Sequence, residues 1–293
     1  MLKLIGETKL DFIGKRRIFY LISLVVIITG LVFFFKKGPS AYGIDFAGGQ
    51  LQEYSFKNPP AIDKVRQLLK ELNLADASIQ QFKDNPKVIL IKTAQDQNTV
   101  LTDKLKKAFP DEDVQMLKIE HVGPVAGKHL KAKAFYALVW SLVGILIYVA
   151  FRFKHFNFAV AGVIALIHDV LVALGFLAIT GRQIDLLSVT AFLTIAGYSI
   201  NDTIVIYDRV RENMRLVRKA SLYELINLSV NQTLGRTILT SGVTLLVVIA
   251  IFLYGGEVLS NFAFTLLIGF VSGVYSTIYI ASPLVLAWSR KKA

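Results

Sequence analysis

One acidic side chain lies within an apolar run of the kind that spans membranes. Asp202 is found in AGYSINDTIVIYDR, residues 196–209, after mostly apolar or small residues and before more apolar residues broken by one threonine. Inserting an ionised side chain deep into hydrocarbon costs a free energy of at least about 2.5–3.5 kcal/mol on insertion scales. Such a residue is therefore expected to have a charged partner, contact with water or a functional role. Asp202 is therefore the first candidate for a functional residue.

The sequence offers Asp202 a cation and two further polar neighbours. Arg236, in NQTLGRTILTSG, stands at the start of the next apolar run, at about the same membrane depth as Asp202. That depth is roughly 9 Å on the cytoplasmic side of the midplane, by the helical rise of about 1.5 Å per residue. Ser199, one turn before Asp202, shares its helix face, and Asn201 adds an amide beside it. These four residues form a candidate ion relay.

Proton relay is the chemistry that suits Asp202 and Arg236. Burial in a low dielectric favours the protonated form of a carboxyl group, and a nearby guanidinium favours the ionised form. A balance between the two lets the group take up and release a proton in the physiological range. A guanidinium stays charged, so Arg236 would act as an electrostatic gate, and protonation would switch one contact between two helices.

A third polar site is the pair His168 and Asp169 in ALIHDVLVAL, near the middle of another apolar run. We include both residues in the candidate relay, although a purely structural hydrogen-bonded pair explains the dipeptide equally well. No further ligands accompany the pair, so no metal site is predicted. The chain has no cysteine, which excludes disulfides, thiolate zinc sites and iron–sulfur clusters.

Two simpler interpretations compete with the relay. The helix could end at Asn201 and Asp202, which would then only mark the cytoplasmic interface. Arg236 could extend to the lipid headgroups instead of meeting the acid. The apolar continuation from Thr203 to Tyr207 argues against the first interpretation.

The composition and six long apolar stretches predict a polytopic α-helical membrane protein. Hydrophobic residues make up 54% of the 293 residues, charged residues only 18%, and the mean hydropathy is +0.54. Each stretch approaches the roughly 20 residues that cross a bilayer. We expect the last to tilt or to bend near Pro283. The stretches are Ile18–Phe35, Ala134–Phe151, Phe156–Thr180, Leu186–Tyr207, Ile238–Tyr254 and Leu259–Trp288.

Basic residues fix the predicted orientation. They cluster at alternate loops, which places both termini in the cytoplasm by the positive-inside rule. The net charge of +12 therefore reflects membrane topology, and we expect no nucleic-acid binding. The first apolar run exceeds a signal-peptide core and is expected to be an uncleaved anchor. The clustered cations are Lys15–Arg17, Arg152, Lys154, Arg209, Arg211, Arg215, Arg218, Lys219 and Arg290–Lys292.

The polar region of about residues 38–131 is predicted to be one extracytoplasmic domain, between residues 1–37 and the helices of residues 132–293. Its apolar patterns follow the order β-α-β-β-α-β, which is the α+β ferredoxin-like arrangement. The domain opens with GIDFAGG, in which glycines permit positive φ and close backbone approach. We interpret this motif as a tight connector, with a hinge or pathway role as the alternative. Its candidate residues are Gly43, Asp45, Gly48 and Gly49.

Small residues predict close helix packing in the membrane. Gly197 lies among small residues of the fourth stretch, and Gly269 and Gly273 form a small-xxx-small pattern in the sixth. Such surfaces let helix backbones approach, within the chain or against a partner.

Together these motifs resemble the SecF family of bacterial protein-export membrane subunits, in the resistance-nodulation-division superfamily. The resemblance rests on GIDFAGG, HDV, AGYSINDTIVIYDRVREN and NQTLGRTILTSG, and it covers essentially the whole chain. It implies a subunit of the bacterial inner membrane that works with SecD, often with YajC, and assists the SecYEG channel in exporting preproteins by using proton or sodium flow. It also implies that Asp202 is the family's essential transmembrane carboxylate and Arg236 its companion, with a further acid from SecD.

Two other functions stay open at this point. A passive scaffold or assembly subunit would use the buried polar groups only for stability. A small-molecule exporter half would need a deep pocket, for which an external domain of about ninety residues leaves little room. No HExxH, GxSxG or Walker motif occurs, so we predict neither hydrolytic activity nor a cofactor.

Overall fold

The computed structural model describes residues 8–74, 77–81, 85–93, 98–153, 156–217 and 219–289. It forms two compact units, Met1–Ala41 with Phe135–Ala293, and Tyr42–Ala134. The predicted cations Lys154, Arg218 and Arg290–Lys292 lie outside the described residues.

The elements follow one another in the predicted order. The first part contains α1 (Arg16–Lys37), a short 3-10 turn (Gly38–Ala41), α2 (Ile44–Ala47), β1 (Gly49–Ser55), α3 (Ile62–Glu71), β2 (Ser78–Gln81), β3 (Val88–Thr93), α4 (Asn98–Ala108) and β4 (Gln115–Val122). The second part contains α5 (Pro124–Phe153), α6 (Phe156–Ile179), α7 (Leu186–Leu216), α8 (Leu222–Tyr254), α9 (Gly256–Ser276), a π-helical turn (Thr277–Ala281) and α10 (Ser282–Ser289).

Six helical segments of the described chain are long and apolar enough to cross a membrane, which confirms the predicted membrane class. Several are longer than their apolar stretches. The helix α7 continues to Leu216 and α8 begins at Leu222, so the interpretation that the helix ends at Asp202 is wrong. Asp185 and Ser188 cap the start of α7, and Ser221 and Glu224 cap the start of α8. These caps satisfy free backbone N–H groups where the apolar pattern is absent.

The last apolar segment changes its helical geometry just before Pro283, near the predicted bend. Ser282 donates its backbone N–H to the Thr277 carbonyl five residues earlier, as in a π turn. Proline has no N–H to donate, so the helix cannot continue its regular hydrogen bonding through Pro283. A π turn is a common local solution to such an interruption.

The helices α6, α7 and α9 form the buried centre of the membrane unit, while α1, α5 and α8 are mostly exposed in the described chain. The helix α1 comes close to α6 where Gly30 faces Gly175. A Cβ added to Gly175 would lie 2.9 Å from the Gly30 Cα atom, closer than side chains normally approach. Two glycines therefore permit this backbone contact.

The unit Tyr42–Ala134 contains a four-stranded antiparallel sheet with strand order β2-β3-β1-β4. In the register, Gln52 of β1 faces Ile91 of β3 and Ile119 of β4. This topology confirms the predicted ferredoxin-like α+β domain. Its core lies between the sheet and the helices α3 and α4, and its fully buried side chains include Tyr54, Leu69, Ile89, Ile91, Leu101 and Leu105.

The GIDFAGG segment adopts positive φ at only two of its three glycines. Gly48 has φ 77° and Gly49 has φ 122°, whereas Gly43 has φ −72° and ψ 175°, an extended conformation open to any residue. Gly43 therefore does not use the positive φ that glycine permits, whereas Gly48 and Gly49 do. Asp45 lies in the first turn of α2, a short helix that the sequence did not indicate. At Gly48 a Cβ would lie 3.0 Å from the Pro124 Cα atom, so the predicted close backbone approach occurs there.

Candidate functional site

Asp202 is buried inside the helical unit, with 6% of its surface exposed. It lies in the middle of α7, and its one hydrogen bond within the described chain comes from Ser241 of α8. The Ser241 hydroxyl donates to Asp202 Oδ2 at 3.1 Å. A carboxylate with one neutral donor keeps most of its acceptor capacity unused. The site therefore has room for a second partner, whether a proton, a cation or a water molecule.

Arg236 is exposed, and no ion pair with it occurs among the residues that the structure describes. Its charge still acts on Asp202 over a longer distance. Asp202 is level with Ser241, which comes five residues after Arg236 and therefore lies about 7–8 Å farther along the helix axis. Direct pairing of Asp202 with Arg236 was predicted, and this offset explains why the two do not touch.

The two polar neighbours predicted for Asp202 face elsewhere. Ser199 is buried, but its hydroxyl donates to Asp169 Oδ2 at 2.7 Å rather than to Asp202. Asn201 is exposed on α7. The residues of the predicted relay therefore belong to two separate polar clusters, one around Asp202 and one around Asp169.

An exposed polar surface runs along α7 and α8 next to Asp202. We call it the α7–α8 polar face. Along α7 its residues are separated by three and four positions, and along α8 by four positions, so each set lies on one side of its helix. Tyr198 of α7 connects the two helices, because its hydroxyl donates to the Thr244 hydroxyl of α8 at 2.9 Å. The α7–α8 polar face consists of Thr194, Gly197, Asn201, Arg236 and Thr240. Lipid tails offer no hydrogen bonds, so polar residues at this depth normally face protein or water.

Asp169 is the centre of the second polar cluster. It has no exposed surface and accepts from three serine hydroxyls of two neighbouring helices. Ser199 of α7 donates at 2.7 Å, Ser272 of α9 at 2.7 Å and Ser276 of α9 at 2.8 Å. The fourth neighbour is His168, with Nδ1 at 3.1 Å from Asp169 Oδ1. This network joins the three central helices of the unit.

The predicted packing glycines have different surroundings. A Cβ on Gly269 would collide with the Ile195 side chain, and one on Gly273 would lie 3.0 Å from the Ser199 Cβ and Oγ atoms. Both glycines therefore let α9 approach α7. Gly197 has nothing within 4 Å of an added Cβ and belongs to the exposed face.

The serines Ser241, Ser272 and Ser276 were missed by the sequence interpretation. Ser272 and Ser276 are spaced one helical turn apart and alternate with Gly269 and Gly273. That spacing is the only signal that could have indicated a polar stripe. Among the described residues, no group of three or more His, Cys, Asp or Glu side chains could hold a metal ion.

Comparison with known protein families matches residues 100–291 to "Protein export membrane protein SecD/SecF, C-terminal". Curated relatives match over nearly their full lengths. A protein of Calditerrivibrio nitroreducens, named protein translocase subunit SecF, is 40% identical over 96% of this chain and 94% of its own length. The Pseudomonas aeruginosa protein of the same name is 38% identical over 95% of this chain and 91% of its own length.

Solved structures match the whole described fold. The crystal structure of SecDF from Thermus thermophilus, described as a translocon-associated membrane protein, is 35% identical with a TM-score of 0.87. A SecDF structure in a "Super-membrane-facing form" has a TM-score of 0.74 at 35% identity. These matches cover 97% and 98% of this chain, but the chain spans only 39% and 40% of the solved SecDF chains.

Proposed function

The chain belongs to the SecD/SecF family of protein-export membrane proteins, and we propose that it couples ion flow to protein export as the partner of a SecD subunit. In this proposal both termini are in the cytoplasm of a bacterium and the ferredoxin-like unit lies outside the inner membrane. The complex assists the SecYEG channel, with YajC as an accessory subunit, and the external unit acts on the emerging preprotein. The coupled ion is a proton or sodium.

The buried carboxylate of Asp202 is the observation that carries the proposal. It lies within a membrane-length helix, has a single hydroxyl donor, and is near a permanent cation that does not pair with it. A purely structural acid would be expected to have its acceptor positions filled, as Asp169 has. The incomplete set of partners supports a role in which Asp202 exchanges a partner during function.

The geometry suggests how the binding of a proton or cation to Asp202, which we call loading, would be transmitted to SecD. Ionised Asp202 accepts the Ser241 hydrogen bond and attracts Arg236, so the charge holds α7 and α8 together. A proton or cation on the carboxylate cancels that attraction. The α7–α8 polar face, which contains Arg236, is the surface on which we place SecD. Loading would then change the contact between the two subunits and move them relative to each other.

Replacing Asp202 by asparagine tests this function while keeping the size of the side chain. We expect the Asp202→Asn complex to assemble with SecD normally but to export preprotein only at the rate seen without an ion gradient. The matched control is Asp208→Asn on the same helix, which removes an acid paired with Arg152 at 2.9 Å. The control should keep gradient-dependent export.

The same experiment separates coupling from scaffolding. If Asp202→Asn reduces assembly and gradient-independent export together, the chain is a scaffold and Asp202 is structural. Gradient-dependent export at the wild-type rate in Asp202→Asn would refute the coupling role.

A further inference from the structure

A continuous chain of buried and partly buried hydrogen bonds runs from Asp169 to α1, and the proposed role of Asp202 does not use it. His168 Nε2 lies 3.0 Å from the Ser23 hydroxyl, which lies 2.8 Å from the Tyr275 hydroxyl. The Tyr275 hydroxyl in turn donates to the Phe19 carbonyl oxygen at 2.6 Å. The chain therefore links α6, α9 and α1.

The donors in this chain can be assigned by counting protons. Each hydroxyl has one proton to donate. Tyr275 uses its proton on the Phe19 carbonyl, so Ser23 must donate to Tyr275. Ser23 then has no proton left for His168, so the His168 Nε2 atom must carry a hydrogen and donate it to Ser23.

The same count requires a proton between His168 and Asp169. The serine donors already occupy the Asp169 carboxylate, and His168 Nδ1 lies 3.1 Å from Asp169 Oδ1. Without a proton there, two lone pairs would face each other. With Nε2 already protonated, the pair is either an imidazolium with a carboxylate or a neutral imidazole with a carboxylic acid. In both cases the pair has zero net charge and holds one proton that it can lose.

Among the residues that the structure describes, no other charged side chain contacts Asp169. His168 is 7% exposed, and Tyr275 of α9 stacks on its ring with the centroids 5.7 Å apart. Tyr279 of the following π turn packs against Tyr275. On α7, Asp202 lies one turn beyond Ser199, and the hydroxyl of Tyr198 donates to Thr240 and Thr244 of α8.

The first helix brings no charged side chain into the middle of its span, and its one tyrosine, Tyr20, lies three residues before Ser23. Its charged residues are at its two ends, Arg16, Arg17, Lys36 and Lys37. Burying an unpaired carboxylate is costly, so the shared proton is what neutralises this pair.

We propose that His168 and Asp169 form a second proton-binding site, separate from Asp202, whose occupancy maintains the hydrogen bond between Ser23 of α1 and Tyr275 of α9. Loss of the proton to water changes the pair from zero net charge to −1. The remaining ring proton then moves to Nδ1, where it faces the carboxylate. Nε2 becomes an acceptor for the Ser23 hydroxyl, so Tyr275 loses its donor. The Ser23–Tyr275 hydrogen bond between α1 and α9 is then lost, while Ser23 stays bonded to His168 and Tyr275 to the Phe19 carbonyl.

Nitrogen-15 NMR of the histidine rings tests the site directly, in the full chain with its SecD partner in lipid nanodiscs. The chain has four histidines, and His168→Gln identifies the His168 signals. At neutral pH we expect an N–H at Nε2 and a proton held between Nδ1 and Asp169, and at high pH the loss of one proton. A bare Nδ1 with no shared proton at neutral pH would overturn the site.

A distance measurement tests the link to α1. Because the chain has no cysteine, spin labels can be placed through Val25→Cys on α1 and Val271→Cys on α9, two positions with 56% and 57% exposure. We expect the label distance to increase as the His168 proton is lost. In the Ser23→Ala variant, the label distance should be the same before and after the His168 proton is lost. A wild-type distance that stays constant while NMR records proton loss would overturn the link.

Two more variants complete the design. Asp169→Asn supplies an amide hydrogen to Nδ1, so it should keep the short label distance at every pH. Thr265→Val is the matched control, because the Thr265 hydroxyl donates only to its own helix at Asn261. An Asp202→Asn background should leave the His168 signals unchanged, so this site can fail or succeed independently of the proposed ion coupling.

Discussion

At the scale of single residues, two buried aspartates of one helical unit have opposite surroundings. Asp169 accepts from three serines and contacts a histidine, whereas Asp202 accepts from Ser241 alone within the described chain. A saturated carboxylate keeps its hydrogen-bond donors, and an unsaturated one can exchange partners at a smaller cost. We therefore assign the exchange of ions to Asp202 and the retention of a proton to Asp169 and His168.

The Ser241 hydroxyl should be needed for fast ion release from Asp202. It stabilises the ionised carboxylate, and a hydrogen bond to a charged group contributes about 1.5–3 kcal/mol. We expect Ser241→Ala to slow gradient-dependent export roughly tenfold or more. Ser241→Thr keeps the hydroxyl and should retain most of the rate. Equal rates for the alanine variant and the wild type, measured in export assays with purified complex, would show that Ser241 has no part in coupling.

The sequence identified the charged residues but not their partners. Asp202, Asp169 and Arg236 stand out because each interrupts an apolar run, and the energetic cost of that interruption is a strong signal. Serine hydroxyls give no such signal, because they are tolerated in membrane helices by bonding to their own backbone. Whether Ser199 faced Asp202 or Asp169 depended on how α6 packs against α7, which helix periodicity does not contain.

At the scale of elements, the contact between α1 and α6 depends on two glycines. We expect Gly175→Val to lower the thermal unfolding midpoint of the purified protein, because overpacking of a close contact costs about 1–3 kcal/mol. The matched control is Gly144→Val on α5, where an added Cβ meets nothing within 4 Å. Equal midpoints for the two variants would mean that α1 does not pack closely on α6.

The presence of each membrane-length helix was predictable from the sequence, whereas the residues at which helices end and the contacts between helices were less predictable. Apolar length alone indicated all six spans. The end of α7 and the start of α8 were placed too close to the membrane, because their polar continuations lack the apolar signal. The start of α8 depends instead on the cap at Ser221. The glycines Gly30 and Gly175 are isolated in their helices, so only the packed structure reveals that they face each other.

At the scale of the whole molecule, we place the SecD partner on the α7–α8 polar face, next to the Asp202 site. Arg236 and Asn201 are exposed within long apolar helices, and lipid would leave their polar groups unsatisfied. The chain also spans only about two fifths of the solved SecDF chains that share its fold. The domain order and the ferredoxin-like unit were predictable from the sequence, but a surface that needs a second chain is recognisable only when the exposure of each residue is known.

Ion flux through vesicles that contain this chain together with SecD is the most direct test of the central claim. We predict gradient-driven proton or sodium flux with the wild-type chain and background flux with Asp202→Asn, at equal amounts of assembled complex. The Asp208→Asn complex should conduct like the wild type. Flux through the Asp202→Asn complex equal to that of the wild type would contradict the assignment of ion coupling to this buried carboxylate.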